Sequence, residues 1–202
     1  MNAFQKPPPL AISCTSVDCD NDLHCFKKLQ KMRQDQLGHC RACDADLVDW
    51  DRIHKRDLKD VSHTFKMLKH ELIRHHFFHV VIDGHAVRHA QRKGRLLLKE
   101  ATRDRLRKYL APTEPPRDGR QTPMHGSSIF YGQHATATCC RTCLEYWHDI
   151  PKHRELTASE VEYCGKLIDL FLEQRLPDLS PQPIKVPANR TMVTTKRSTP
   201  RQ

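Results

Sequence analysis

Between His134 and His148 the chain sets five potential metal ligands in one short segment: His134, Cys139, Cys140, Cys143 and His148. Such a segment constrains any fold that contains it, because thiolates and imidazoles that meet at one ion fix the turn between them. Cys140 and Cys143 stand in the Cys-x-x-Cys spacing by which one tight turn delivers two thiolates to the same ion, and a histidine on each side could complete a tetrahedron. Zinc is the ion this donor set indicates. Consecutive side chains usually diverge, so one of Cys139 and Cys140 is expected to be spare. Cys140 has the better spacing to Cys143, which makes His134, Cys140, Cys143 and His148 the expected set, with Cys139 as the replacement. Four protein ligands would close the site; three with a bound water would make it catalytic in type.

A second group of cysteines lies near the N-terminus: Cys14, Cys19, Cys25, Cys40 and Cys43. Little apolar periodicity surrounds them, so a metal is expected to supply what a core does not. Cys14-x4-Cys19 and Cys40-x2-Cys43 resemble the two knuckles of a zinc ribbon facing one ion. Cys14, Cys19, Cys40 and Cys43 are therefore the expected ligands of a structural site. Cys25 is either a substitute ligand or a small buried thiol. Two zinc ions in all are expected.

The chain of 202 residues contains nine cysteines, and its start lacks the apolar stretch of a signal peptide. Reduced thiols in a cytoplasmic setting follow as the expectation. No apolar run approaches a membrane span of roughly 18 residues, so no membrane partner is expected. The formal net charge of +10 invites a polyanion, DNA or RNA. Basic residues crowd a helix expected over 85–110, where Asp83 caps the start and Gly94 weakens the middle. Arg88, Arg92, Lys93, Arg95, Lys99 and Arg103 are its candidate phosphate contacts.

The expected organisation is a disordered segment over 1–12, a zinc-ribbon-like module over 13–50, a main helical domain over 51–176 carrying the second cluster, and a disordered basic tail over 177–202. Val61, Phe65, Leu68 and Leu72 draw one stripe along a helix over about 57–78. Residues 111–128, rich in proline and glycine, form a loop, and Ile129, Phe130 and Tyr131 read as a short strand. Thr157 and Glu160 form a capping box ahead of the stripe Val161, Cys164, Ile168 and Phe171. The fold class is α+β, mainly helical, with two zinc-stabilised modules.

Three runs carry a resemblance: Arg117-Asp118-Gly119-Arg120-Gln121-Thr122-Pro123, Gln133-His134-Ala135-Thr136-Ala137-Thr138-Cys139-Cys140-Arg141, and Trp147-His148-Asp149-Ile150-Pro151-Lys152. Over about 47–176 the chain resembles the bacterial domain-of-unknown-function family 4186, with the N-terminal cysteines as an extension. It departs at His153 and Asp44, where glycine is expected. The resemblance implies a bacterial cytosolic protein and carries no activity.

The favoured functional expectation is a zinc-stabilised nucleic-acid-binding protein. A zinc hydrolase, with Asp118 or Gln121 assisting near His134, and a protein-interaction adaptor are the alternatives. The carboxylate of the nucleobase deaminase pattern His-x-Glu is absent, since Ala135 and Thr136 follow His134.

Overall fold

The computed structural model describes residues 12–116 and 122–186. Seven α-helices follow in order: α1 (Trp50–His54), α2 (Val61–Leu68), α3 (Leu72–His79), α4 (Gly84–Tyr109), α5 (Ser128–Ala135), α6 (Arg141–His148) and α7 (Ala158–Arg175). The mainly helical expectation holds. The strand expected at Ile129–Tyr131 is corrected: these residues lie in α5, where Ser128, Ile129, Tyr131, Gly132, Gln133, His134 and Ala135 are all buried. Aromatic and β-branched residues favour strands mainly through packing, and a helix buried all round has no polar face to betray its period. α5 packs between α3 and α7, and α4 lies across both α5 and α7. Gly132 permits the α5–α7 approach, since a Cβ there would sit 2.7 Å from the Ile168 Cγ2.

The single helix expected over 57–78 is two. α2 stops at Leu68, and Glu71 enters α3 in an extended conformation. The break is filled by the N-terminal segment: the His24 amide donates to the His70 carbonyl, and the Leu72 amide donates to the His24 carbonyl. The N-terminal cysteines are thereby pinned to the helical domain. Phe26, Trp50 and Trp147 meet there edge to face or tilted, with centroids 5.0–5.8 Å apart, and α1 packs on α6.

α4 starts as expected, with the Asp83 carboxylate accepting from the amides of His85 and Ala86. It is interrupted at Gly94, whose φ of 66° lies in the left-handed region open to glycine. The break frees backbone groups, and the segment after α7 takes them up. The Arg95 amide donates to Ser180, the Leu96 amide to Pro181, and the Ile184 amide to the Gln91 carbonyl. A Cβ at Gly94 would lie 2.4 Å from the Gln182 carbonyl carbon. The tail expected to be disordered from Pro177 is thus held against α4 through Ile184. Residues 1–11 and 187–202, and with them most of both expected disordered ends, fall outside the described residues.

α7 begins on the expected capping box. The Thr157 hydroxyl accepts from the Glu160 amide, and the Glu160 carboxylate accepts from the Thr157 amide. Arg154 and Arg56 also grip that carboxylate. The Arg154 guanidinium is the main cause holding Glu160 down to about 2. A carboxyl depressed in the folded state stabilises fully above its unfolded pKa and loses that contribution as pH falls through the folded value. Glu160→Gln keeps the capping geometry and removes the charge. It should cost about 1–2 kcal/mol at neutral pH, with half-exposed arginines discounting the effect. Urea titrations should show the gap between the two proteins closing from about pH 4.5 toward 2.

Candidate metal centres

The described residues contain two groups of side chains that could hold a metal ion, one of Cys19, His24, Cys40 and Cys43, the other of Cys139, Cys140 and Cys143. Within each group the ligand atoms lie within 4.8 Å of one another.

The first centre is assembled from two turns. Asp18 and Leu23 exchange backbone hydrogen bonds of 2.6 and 3.0 Å, closing a loop that carries Cys19 and delivers His24. The Asp44 amide donates to the Cys40 carbonyl, and Asp44 adopts a φ of 63°, which turns the chain so that Cys40 and Cys43 face one way. Cys19 Sγ lies 3.8 Å from Cys40 Sγ, and Cys43 Sγ lies 3.4 Å from His24 Nδ1. A tetrahedron with metal–sulfur bonds near 2.3 Å and a metal–nitrogen bond near 2.0 Å requires separations of about 3.8 and 3.5 Å. The donor set fits. His24 Nε2 bonds Asp22 Oδ1 at 3.1 Å, so a carboxylate fixes the tautomer that presents Nδ1 inward. That hydrogen bond holds the Asp22 carboxyl below its ordinary range. Burial works against a Cys40 thiolate, but backbone hydrogen bonds from Cys25, Cys43 and Ala42 outweigh it and bring the thiol down to about 6. Cys19 is pushed up to about 12 by burial and by its bonds to Cys43 and Cys40.

Of the expected ligands Cys14, Cys19, Cys40 and Cys43, the structure brings together the last three and sets His24 in the fourth place. Cys14 lies outside the group, and its carbonyl accepts from the buried Cys25 thiol at 3.4 Å. Cys19-x4-His24 repeats the spacing of Cys14-x4-Cys19, so the signal for His24 was present in the sequence. The consequence is measurable. Cys14→Ser should leave the metal content of the protein unchanged, whereas His24→Ala should lose one ion, as read by native mass spectrometry; the reverse pattern would restore the all-cysteine set.

The second centre differs more from its expectation. Cys140 is extended immediately before α6, and Cys143 sits one turn inside that helix. The sulfurs of Cys139 and Cys140 lie 3.6 and 3.4 Å from Cys143 Sγ, so the pair of neighbours serves one point after all. The two histidines do not join them. His148 Nε2 bonds the Thr136 carbonyl at 2.9 Å and its Nδ1 bonds the Tyr163 hydroxyl at 3.1 Å. His134 Nε2 bonds the Thr122 carbonyl at 2.9 Å, with its ring stacked on Phe77 at 4.6 Å. A nitrogen facing a carbonyl carries the hydrogen and has no lone pair for a metal; His134 Nδ1, buried with no hydrogen-bond partner, keeps its lone pair but lies outside the group formed by the three sulfurs. Burial keeps both rings neutral, His134 down to about 3 and His148 to about 4.

Beside the sulfurs stands a fully buried guanidinium. Arg74 donates through Nη2 to Cys143 Sγ at 3.0 Å and through Nη1 to Cys139 Sγ at 3.5 Å and the His134 carbonyl at 2.6 Å. Its Nε donates to the Glu71 carboxylate at 2.9 Å. Glu71 also accepts 2.7 Å hydrogen bonds from Trp147 Nε1 and the Tyr146 hydroxyl. Neither Arg74 nor Glu71 stands out in the sequence as a site residue. The position of Arg74 among the buried Ile73, Phe77 and Phe78 of α3 was the missed signal. The hydrogen bond with Cys139, with burial beside it, pushes Cys140 up to about 12.

The candidate phosphate contacts are dispersed. Arg103 is buried, paired with Asp169 at 2.6 Å and Glu162 at 3.0 Å. Lys99 pairs with Glu173 at 2.9 Å, and Arg95 donates to the Pro177 and Leu179 carbonyls. Arg92 is exposed, while Arg88 and Lys93 are half-buried. Asp118 and Gln121 lie outside the described residues. No described helix is long and apolar enough to cross a membrane.

Residues 62–173, more than half of the chain, match the family described as domain of unknown function (DUF4186). That span contains Glu71, Arg74 and the whole second centre and excludes the first. No solved structure matches the chain.

Proposed function

Since the chain belongs to the DUF4186 family, whose description names no activity, we propose that its function resides in the thiol centre the family region carries, with the N-terminal module as a zinc-dependent support. The first centre takes zinc as a closed four-ligand site, which leaves no position for a substrate and gives it a structural role. Zinc there ties the segment of Cys19 and Cys40 to the break between α2 and α3. The second centre is the functional one. The observation that carries this is the convergence of Cys139, Cys140 and Cys143 on one point beside a buried Arg74. A structural site would be expected to complete its own coordination, and here the protein supplies three donors. A metal bound there would keep one coordination position for an outside ligand. All nine cysteines are free thiols, which fits a reduced, cytoplasmic setting.

Nucleic-acid binding draws on the net charge of +10. With Arg95, Lys99 and Arg103 committed to internal contacts, α4 offers fewer phosphate contacts than its sequence promises, so the metal reading is preferred. The adaptor reading has no specific surface behind it, and the hydrolase reading needs a substrate cleft at the second centre.

Cobalt substitution tests the proposal. Anaerobic titration of metal-free protein should fill two sites, each with thiolate-to-cobalt absorption. Cys143→Ser should abolish the second site, and His148→Gln should leave it intact. Loss of the second site in a folded His148→Gln protein would overturn the three-thiolate reading.

A further inference from the structure

What the second thiol centre is built to hold follows from its donors, its burial and its charge. The protein offers three sulfurs and withholds a fourth donor. His134 Nε2 and His148 Nε2 face backbone carbonyls, His148 Nδ1 faces the Tyr163 hydroxyl, and His134 Nδ1, buried with no hydrogen-bond partner, lies outside the group formed by the three sulfurs; the Glu71 carboxylate is covered by Arg74, Trp147 and Tyr146. The centre is also largely buried: Cys139 and Cys143 are each 3% exposed, Arg74 and Glu71 are 0% exposed, and Cys140 is partly exposed. The buried Arg74 and Glu71 pair at 2.9 Å and cancel, so the net charge of a loaded centre is that of the ion and its three thiolates.

An ion that displaces the three thiol protons changes the buried charge by its own charge minus three. A monovalent ion leaves two negative charges in excess, a divalent ion one, and a trivalent ion none. Uncompensated charge in a buried site is disfavoured, so a trivalent occupant should displace the divalent ion that the three thiolates also take. We propose that Cys139, Cys140 and Cys143 form a binding site for a trivalent, three-coordinate thiophilic metalloid of the arsenite or antimonite class. This rests on the reading of the cluster as a metal-type thiolate centre and names its occupant. Such an atom fills its fourth direction with its own lone pair and needs no fourth ligand. Binding is an exchange without redox change. Arsenous acid, As(OH)3, and three thiols give As(S-Cys)3 and three waters; three As–O bonds break, three As–S bonds form, and each hydroxide leaves with one thiol proton. Cys140, the partly exposed member, is the entry point. The first centre contrasts on each count, since it has the His24 donor and an exposed Cys43 where solvent shares the charge.

The test is native mass spectrometry of the zinc-saturated full chain with added arsenous acid. The expected result is one arsenic per chain with loss of three hydrogens, departure of the second zinc, and retention of the first. Single Cys139→Ser, Cys140→Ser and Cys143→Ser variants should each weaken arsenic binding by at least about tenfold, as the loss of one of three linked attachments requires. Cys164→Ser should bind as the parent does, and parent-like helical circular dichroism together with retention of the first zinc certifies each variant as folded. No arsenic uptake, loss of only two hydrogens, or displacement of the first zinc instead overturns the proposal. If the second centre still takes zinc in a Cys143-dependent way while refusing arsenic, the metal-centre reading survives and the metalloid assignment falls. If it takes neither, both fall.

Discussion

Arg74→Met is expected to destabilise the folded protein by about 3–5 kcal/mol, the range for removing one partner of a buried ion pair. The guanidinium is completely buried and is the hub for Glu71, the His134 carbonyl, Cys139, Cys143 and the Tyr146 hydroxyl. Methionine fills much of the volume and satisfies none of these groups. The largest part of the loss is the Glu71 carboxylate, left with two neutral donors in a site with no water access. The double variant Glu71→Gln/Arg74→Met should therefore be more stable than Arg74→Met alone, by on the order of 1–2 kcal/mol. Urea unfolding of the metal-saturated proteins measures both. A single-variant loss under about 1 kcal/mol would mean that Arg74 is not the buried counter-charge described here.

Removing the metal from the first centre should have an effect of comparable or greater size, confined to one side of the molecule. Binding of a structural zinc contributes on the order of 10 kcal/mol to the folding of small thiolate modules. Around Cys19, His24, Cys40 and Cys43 the chain has two short 3-10 turns and little else that is regular. Chelation should therefore release the loop around Cys19 and the turn of Cys40 and Cys43 while α2 to α7 stay folded. The two tryptophans report it directly. Trp50 donates from Nε1 to the Gly38 carbonyl, and Trp147 packs against Phe26 and Trp50. Emission should shift to the red on chelation and return on zinc addition, with helical circular dichroism nearly constant. A global loss of helix would show that the first centre supports the whole domain, and an unchanged emission would show that it supports nothing.

Much of the helical framework was legible in the sequence. Asp83 caps α4, Gly94 interrupts it, and the Thr157–Glu160 box opens α7, because each depends on groups within a few residues of one another. The failures share a cause. The division between α2 and α3 depends on a backbone bridge to His24, far away in sequence. α5 was taken for a strand because its burial comes from three neighbouring helices. At the centres, spacing identified Cys19, Cys40, Cys43, Cys140 and Cys143. It could not show that His134 and His148 would be claimed by carbonyls, or that Cys139 would converge with its neighbour. Asp44 and His153, where glycine is expected, have φ values of 63° and 61°, in the left-handed region that glycine adopts freely. The chain carries side chains at both of these turns.

The most direct test of the claim that the protein carries two independent thiol centres is an ion count. Native mass spectrometry of the zinc-saturated chain should find two zinc ions in the parent, one in Cys40→Ser and one in Cys143→Ser, with arsenous acid displacing zinc from the parent and from Cys40→Ser but not from Cys143→Ser. A parent that binds no metal, or a single ion lost in both variants alike, would contradict it.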